Sequence, residues 1–342
     1  MRAVAIHSYN APLEAVTLPD AAPGPGELKV AIEACGVCHS DAHYRRGFGE
    51  TPLPRVPGHE IAGVVTAIGD DVRDISLGDR VAVHYLLSCG HCASCRESGE
   101  QFCETGLMIG KHRDGGYAGA MIVPAVNAVM IPPNVSFEAA AIMMCSTATA
   151  YHALRVANVG RGSRVALLGF GGLGVSALRL SAFLGASAIA AVDVVPEKLA
   201  LAESLGAQPV DARRNQMTEE LRGFHAAIDF TGRPEVATAA FRALSPGGCL
   251  VLVALSEAPL PLNPYRDILA KERRILGCSD HLKSELLDLM KFAANGDIDV
   301  SSAITRRIPL DADAVNAALD DLDRGTGTVR TVITRSARDP RV

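Results

Sequence analysis

The chain has 342 residues, of which 48% are hydrophobic and 21% charged, and this ordinary globular composition excludes a disordered, collagen-like or disulfide-stapled protein. Its 33 basic and 38 acidic residues give a formal charge of −5 without a long basic run, which disfavours nucleic acid and anionic membranes as partners. The length predicts about two domains of roughly 150 residues each. No apolar stretch approaches the ~20 residues that cross a bilayer, and a strand-like segment follows Met1 directly, so we expect a cytoplasmic protein.

Short apolar runs in a background rich in glycine and proline characterise the first 150 residues. Residues 28–32, 61–65 and 80–83 are predicted strands. Many short strands joined by turns are typical of a β-rich domain. The pattern becomes helical near residues 137–157, and a last strand is predicted at residues 328–334, which we expect to fold back onto this domain.

Candidate metal ligands come from separate segments of this region: Cys38, His59, Glu60 and Cys145. The first belongs to residues 36–41 (Gly-Val-Cys-His-Ser-Asp), and the next two to residues 58–60 (Gly-His-Glu). Two thiolates and a neutral imidazole balance the charge of Zn²⁺ and leave a fourth position for water or an alcohol, as in catalytic zinc sites. Taken singly, Cys145 is equally well interpreted as a buried core residue.

A second candidate site is a short lobe with four closely spaced thiols: Cys89, Cys92, Cys95 and Cys103. The nine cysteines of the chain are an odd number, and this spacing is too tight for a typical disulfide framework. Four thiolates suit a closed, structural Zn²⁺ site. An iron–sulfur cluster and a metal-free group of thiols are the alternatives, although the tight spacing of bacterial ferredoxins is missing.

Strand runs and amphipathic helices alternate from about residue 162 to residue 277, which predicts a parallel, doubly wound α/β sheet. Predicted strands lie at residues 164–168, 188–192, 226–230 and 249–253. We place this domain at residues 148–277, and the other domain at residues 1–147 and 278–342.

A glycine-rich turn between the first strand and first helix of the α/β domain matches the dinucleotide-binding pattern G-x-G-x-x-G. The backbone predicted to approach the pyrophosphate is that of Gly169, Gly171, Gly172, Leu173 and Gly174. Asp193 ends the second strand, where a carboxylate binds the ribose hydroxyls and repels a 2′-phosphate, so NAD is favoured over NADP. Lys198 can also approach the ribose, and an exposed helix lysine is the alternative interpretation.

Together these motifs resemble those of the zinc-dependent medium-chain alcohol dehydrogenases, in particular bacterial members that use NAD. The resemblance rests on residues 36–41, residues 58–60, the four-cysteine lobe, Cys145 and residues 169–174, and it spans nearly the whole chain. It implies an α/β protein in which a GroES-like catalytic domain is joined to a Rossmann domain, with one NAD and two zinc ions, one catalytic and one structural.

The resemblance also implies roles for individual side chains. Cys38, His59 and Cys145 bind the catalytic zinc, while Ser40 holds the alcohol hydroxyl and passes its proton through the nicotinamide ribose to His43. Serine hydroxyls can donate and accept, and histidine titrates near neutral pH, so this relay is chemically reasonable.

Further expectations concern the surroundings of the metal. Asp41 is expected to accept the other ring N–H of His59, and Glu60 to be an alternate ligand, with a surface salt bridge as the alternative for both. By resemblance, the remaining cofactor contacts are His39, Thr149, Val253 and Arg330.

The substrate pocket is expected to include Tyr85 and Arg45, although arginines are mostly exposed and Arg45 or Arg46 can equally point outward. An inward arginine would favour an acidic or polar substrate. Residues 115–118 (Gly-Gly-Tyr-Ala) resemble the family's glycine-aromatic turn, but Gly119 stands where an acidic residue is common.

The expected reaction is the reversible oxidation of a primary or secondary alcohol by NAD, giving an aldehyde or ketone. A polyol or threonine dehydrogenase is the nearest alternative, but those enzymes commonly have a carboxylate where this chain has Cys145. A non-catalytic regulator that binds NAD and zinc is an alternative from another class. We expect a homo-oligomer, with a tetramer favoured over a dimer, paired along residues 249–255 of the Rossmann sheet.

Overall fold

The computed structural model of the chain describes residues 1–214, 216–325 and 329–335. These residues form two compact units, one of Met1–Cys145 with the described segment from Leu282 onward, the other of Ser146–His281. The predicted domain boundaries, after residues 147 and 277, lie within a few residues of these limits. Thr328, which starts the last predicted strand, and the predicted domain end at residues 336–342 lie outside the described residues.

The first unit is rich in short strands, as its apolar runs predict. Its strands are β1 (Arg2–Ala5), β2 (Glu14–Thr17), β3 (Glu27–Val37), β4 (Glu60–Ile68), β5 (Arg80–Val83), β6 (Leu86–Leu87), β7 (Leu107–Met108), β8 (Ala120–Pro124) and β9 (Ala128–Met130). The α/β unit contributes β10 (Arg164–Leu168), β11 (Ala188–Asp193), β12 (Gln208–Asp211), β13 (Ala226–Asp229), β14 (Cys249–Leu252) and β15 (Arg274–Gly277). The chain then returns to the first unit with β16 (Ile304–Ile308) and β17 (Arg330–Thr334).

The helices of the first unit are α1 (His39–Arg45), α2 (Ala93–Arg96), α3 (Phe137–Ile142), α9 (Lys283–Asn295) and α10 (Ala312–Asp323). Those of the α/β unit are α4 (Ala148–Val156), α5 (Gly172–Phe183), α6 (Pro196–Ser204), α7 (Met217–Glu220) and α8 (Pro234–Ala243). None of the helices within the described ranges has the length and apolar character required to span a bilayer.

The main sheet of the first unit has the strand order β16, β17, β3, β4, β5, β9, with β8 paired on β3. Alternate residues of β3 are buried: Leu28 and Val30 have no exposed surface and Ile32 is 6% exposed. This period of two is typical of a strand that packs one face on a core. The C-terminal strand β17 runs antiparallel to β3, which confirms that the end of the described chain folds back onto the first domain.

The α/β unit contains a parallel sheet in the order β12, β11, β10, β13, β14, β15. Residues 165–168 of β10 are completely buried, because the strand has neighbours on both sides and a continuous apolar sequence. This is the doubly wound order of a Rossmann domain, so the predicted α/β class is confirmed.

We expected two subunits to pair through an edge strand along residues 249–255. This prediction is wrong for β14, which is not an edge strand. β14 lies between β13 and β15, and Cys249 pairs in register with Arg274. Sequence analysis overlooked β15, whose four residues are only partly buried or exposed and carry little apolar signal. Within the described residues, the edges of this sheet are β12 and β15.

Candidate functional site

The predicted catalytic ligands lie together in the first unit. Ligand atoms of Cys38, His59, Glu60 and Cys145 all lie within 4.8 Å of one another. The antiparallel pairing of β3 with β4 explains part of this arrangement, since it places Gly36 opposite Glu60. The end of β3 and the start of β4 thereby bring Cys38, just after one strand, close to His59, just before the other.

Cys145 reaches the cluster from a different element. It belongs to a π-helical turn, Met143–Thr147, that follows α3. Such turns are rare and occur frequently at functional sites, because the extra residue per turn re-aims a side chain. Sequence periodicity alone gave no indication of this turn.

The donor set fits a zinc ion. The cluster is buried, with exposed fractions of 6% for Cys38, 2% for His59 and 9% for Cys145. A hydrogen bond from Cys145 holds the pKa of Cys38 well below its usual range, and the same bond raises the pKa of Cys145. Two sulfur ligands and an imidazole therefore stand within reach of a single point, and zinc binding would release the protons that these groups carry in its absence.

Asp41 lies beside the imidazole of His59, whose ring N–H it is predicted to accept, although Nδ1 of His59 makes no hydrogen bond of good geometry to any described residue. Its Oδ1 atom is 3.3 Å from Nδ1 of His59, and neither side chain is more than 3% exposed. The carboxylate also accepts hydrogen bonds from the backbone N–H groups of Cys38 and Gly58, each at 3.0 Å. A carboxylate behind a metal-binding histidine fixes which ring nitrogen is free to bind the metal.

Glu60 and Arg330 form a buried ion pair beside the cluster. The guanidinium of Arg330 donates to Oε2 of Glu60, while Oε1 of Glu60 accepts no hydrogen bond from any described residue. Burial raises the pKa of Glu60 to about 7. The free oxygen suits the predicted role of an alternate ligand. The structure thus places Arg330, predicted by resemblance to contact the cofactor, next to the predicted metal ligands.

The predicted relay residues lie on α1, directly after Cys38. Ser40 is partly exposed, and His43 is half-buried with its ring centroid 4.8 Å from that of His39 and 5.5 Å from that of Phe48. Burial and the nearby charge of His39 lower the pKa of His43 below 6.5, so its imidazole is neutral at neutral pH and can accept a proton.

Tyr85 and Arg45, the two predicted pocket residues, are placed differently. The buried ring of Tyr85 stands edge-on to the ring of His59, with centroids 5.1 Å apart. The guanidinium of Arg45 instead contacts α10, where it lies 2.7 Å from Asp320 and 2.8 Å from Asp323. Asp323 also lies 3.6 Å from Nε2 of His39.

The four-cysteine lobe forms the second cluster. Its sulfur atoms all lie within 4.8 Å of one another, and those of Cys89 and Cys95 are 4.0 Å apart. A tetrahedral Zn²⁺ with bonds of ~2.3 Å holds its sulfurs about 3.8 Å apart, so the lobe fits this ion closely. Backbone hydrogen bonds lower the pKa of Cys89 to about 6, which favours the thiolate form that binds metal.

The glycine-rich turn lies between β10 and α5, in the context that its sequence predicts. A Cβ atom on Gly174 would lie 2.4 Å from the carbonyl oxygen of Gly169, so the close contact of turn and helix requires glycine. Gly169 adopts a positive φ of 92°. The carboxylate of Asp193 accepts a hydrogen bond from the N–H of Phe170 at 2.7 Å, which places it at the mouth of this turn.

Other predicted cofactor residues belong to the same unit. Thr149 is in the first turn of α4, Lys198 in the first turn of α6, and Val253 directly follows β14, where its N–H donates to the carbonyl of Asp229 at 3.1 Å. Sequence reasoning missed the aspartates of α10 and the hydroxyl of Tyr117, which donates to Asp41 at 2.9 Å. The Gly-Gly-Tyr pattern of residues 115–117 was the sequence feature that could have indicated a role for Tyr117.

Comparisons with known proteins identify the family of the chain. The family profile described as alcohol dehydrogenase GroES-like domain matches residues 24–133, and the one described as zinc-binding dehydrogenase matches residues 172–295. An alcohol dehydrogenase from Geobacillus stearothermophilus is 34% identical over 341 residues, covering 97% of this chain and 99% of that protein.

Two further relatives differ in the cofactor that their names give. NADP-dependent alcohol dehydrogenase C 1 from Mycolicibacterium smegmatis is 34% identical over 312 residues, covering 86% of this chain and 88% of that protein. The crystal structure of an NAD-dependent alcohol dehydrogenase superposes with a TM-score of 0.89 at 27% identity, covering 98% of this chain and all of that one. The family predicted from the motifs is confirmed: this chain belongs to the zinc-dependent medium-chain alcohol dehydrogenases.

Proposed function

We propose that the protein is a zinc-dependent alcohol dehydrogenase that transfers hydride reversibly between a simple primary or secondary alcohol and NAD, with an aldehyde or ketone as the other product. The observation that carries this proposal is the buried cluster of Cys38, His59 and Cys145, backed by Asp41 on the imidazole. Three ligands with a fourth position left for substrate are typical of catalytic zinc, whereas the four-thiolate lobe is closed and structural.

When bound, the zinc supplies Lewis acidity toward the substrate oxygen and NAD supplies the hydride acceptor. Oxidation removes one proton from the alcohol oxygen and one hydride, with its two electrons, from the carbinol carbon. We assign the proton to Ser40, whose hydroxyl can accept it while donating its own onward. Half-buried His43 is the terminal acceptor, since its lowered pKa keeps it neutral at neutral pH.

A simple alcohol is the substrate class that the first unit supports. Tyr85 presents a buried aromatic ring beside His59, which suits an apolar substituent on the carbinol carbon. The charge of Arg45 is balanced by two carboxylates of α10, so we leave it out of the substrate contacts. This placement removes the main argument for an acidic substrate.

Asp193 supports the choice of NAD. Its carboxylate lies at the end of β11 beside the glycine-rich turn, where a 2′-phosphate would meet a like charge. We further propose that His39, Thr149, Lys198, Val253 and Arg330 contact the cofactor. A cytoplasmic homotetramer with two zinc ions per chain is proposed on the family resemblance.

The test is NAD and NADP reduction with a panel of primary, secondary and aromatic alcohols, polyols, threonine and acidic alcohols, beside a chelator-treated sample. We expect metal-dependent reduction of NAD with simple alcohols. Turnover confined to polyols or threonine would transfer the assignment to those enzymes. Two bound zinc ions and bound NAD without turnover on any substrate would favour a regulator.

A further inference from the structure

We propose that Tyr117 is a positioning residue for the metal ligand His59, which it orients by holding the carboxylate of Asp41. The proposal rests on the proposed function in one respect: it takes the cluster of Cys38, His59 and Cys145 as the catalytic zinc site. It gives a role to the Gly-Gly-Tyr turn of residues 115–117, which contributes no ligand and no predicted contact to the cofactor.

The hydrogen bonds of Asp41 carry the argument. Its Oδ2 atom accepts from the hydroxyl of Tyr117 at 2.9 Å and from the N–H of Cys38 at 3.0 Å. Its Oδ1 atom accepts from the N–H of Gly58 at 3.0 Å and lies 3.3 Å from Nδ1 of His59. Tyr117 therefore supplies a side-chain hydroxyl to this carboxylate, and it acts on the oxygen that does not face the imidazole.

The backbone ties the same turn to the segment that carries His59. The N–H groups of Gly115, Gly116 and Tyr117 donate to the carbonyls of Val56, Gly58 and Pro57, at distances of 2.8, 2.8 and 3.0 Å. These bonds hold the turn against the residues immediately before the metal ligand. The position of the phenol ring relative to Asp41 is thus fixed by the main chain on both sides.

Packing around Gly58 fixes the ring itself. Gly58 has a φ of +94°, and a Cβ atom there would lie 2.5 Å from Cδ1 of Tyr117. The tyrosine has no exposed surface, so its ring cannot swing away without opening the core. Since burial and the neighbouring carboxylate raise the pKa of Tyr117, its hydroxyl keeps its proton and stays the donor.

These contacts predict an effect on metal affinity. Without the hydroxyl, Oδ2 keeps one donor, and the carboxylate can rotate away from the orientation that faces His59. Removal of the group that contacts a metal-binding histidine typically costs ~10–100-fold in metal affinity. Tyr117 acts one residue further out, so we expect a loss of roughly three- to tenfold on the same scale.

The test compares Tyr117→Phe with the wild-type protein in zinc competition against a chelator. The lobe zinc of the same molecule is an internal control. The matched control variant is Tyr9→Phe, which removes a tyrosine hydroxyl bonded to the carbonyl of Thr51 in the same unit at 2.7 Å. We expect weaker binding of the cluster zinc only in Tyr117→Phe, with the lobe zinc and Tyr9→Phe unchanged.

Thermal unfolding separates positioning from general stability. Zinc stabilises the folded state in proportion to its affinity, so Tyr117→Phe should lower Tm more in the wild-type background than in a Cys38→Ser background. An equal loss of Tm in both backgrounds, or a cluster affinity within twofold of wild type, would overturn the role of Tyr117. A wild-type protein that binds only the lobe zinc would instead refute the proposed function, and the inference with it.

Discussion

The guanidinium of Arg330 donates to the carboxyl group of Glu60, and these two buried side chains belong to residues that are 5% and 0% exposed. Replacement of Glu60 by Gln would remove the hydrogen-bonded counter-ion of a buried cation, and breaking a buried ion pair typically costs ~3–5 kcal/mol of folding free energy. We expect Glu60→Gln to lower the free energy of unfolding in urea by about this amount. The double variant Glu60→Gln with Arg330→Met should recover part of the lost free energy of unfolding. If the single and the double variant are equally stable, the pairing argument is contradicted.

Cys38→Ser tests the catalytic assignment. Serine is a poor ligand for Zn²⁺ compared with thiolate, so the cluster should lose its metal while the lobe keeps its own. We expect one zinc per chain instead of two by elemental analysis, no measurable alcohol oxidation, and unchanged NAD affinity, because the glycine-rich turn belongs to the other unit. Persistent turnover in the variant that lacks the cluster zinc would refute the mechanism.

His43→Gln tests the proton relay. A neutral imidazole is needed to accept the proton, and burial lowers the pKa of His43, so the wild-type rate of alcohol oxidation should fall only below pH 6.5. The variant should be slower by roughly ten- to a hundredfold near neutral pH. At alkaline pH the two rates should converge, because hydroxide can take the proton directly. A rate ratio that is constant from pH 6 to pH 10 would argue against the relay.

Asp193→Ala tests cofactor choice. Loss of the carboxylate removes both the ribose contact and the repulsion of a 2′-phosphate, so kcat/KM for NADP relative to NAD should rise about tenfold, or ~1.4 kcal/mol. Asp193→Glu keeps the charge and is the matched control, with a ratio close to that of the wild type. If the alanine variant retains the wild-type ratio, another residue sets the preference.

His84 makes stability depend on pH. Its side chain is 2% exposed, and burial lowers its pKa to about 4. The unfolded chain, with a histidine pKa of ~6.5, binds a proton that the folded chain does not between pH 6.5 and pH 4. The titration of His84 therefore leaves the free energy of unfolding unchanged above pH 6.5, and lowers it by about 3 kcal/mol as the pH falls toward 4. We expect urea unfolding of His84→Gln to lack this part of the pH dependence seen in the wild-type protein.

Sequence analysis predicted the family, the fold class and the grouping of Cys38, His59 and Cys145, because each of these depends on local motifs whose order is specific. It could not predict the partners of Arg45, since Asp320 and Asp323 lie on a helix far along the chain without a pattern that signals contact. The bond between Tyr117 and Asp41 joins positions 76 residues apart and depends on how two strands and a turn pack.

The position of β17 has a consequence for the order in which the two cysteine-containing clusters assemble during synthesis. This strand lies between β16 and β3 and brings Arg330 to Glu60, 270 positions earlier. Cys89 and Cys103 are only 14 positions apart, so the ribosome releases the whole lobe early and within a short time. The cluster of Cys38, His59 and Cys145, in contrast, gains the charge partner of Glu60 and the strand beside β3 only after residues 330–334 have left the ribosome. The lobe can therefore form from a short stretch of the nascent chain, whereas the surroundings of the buried cluster are complete only after β17 has been synthesised.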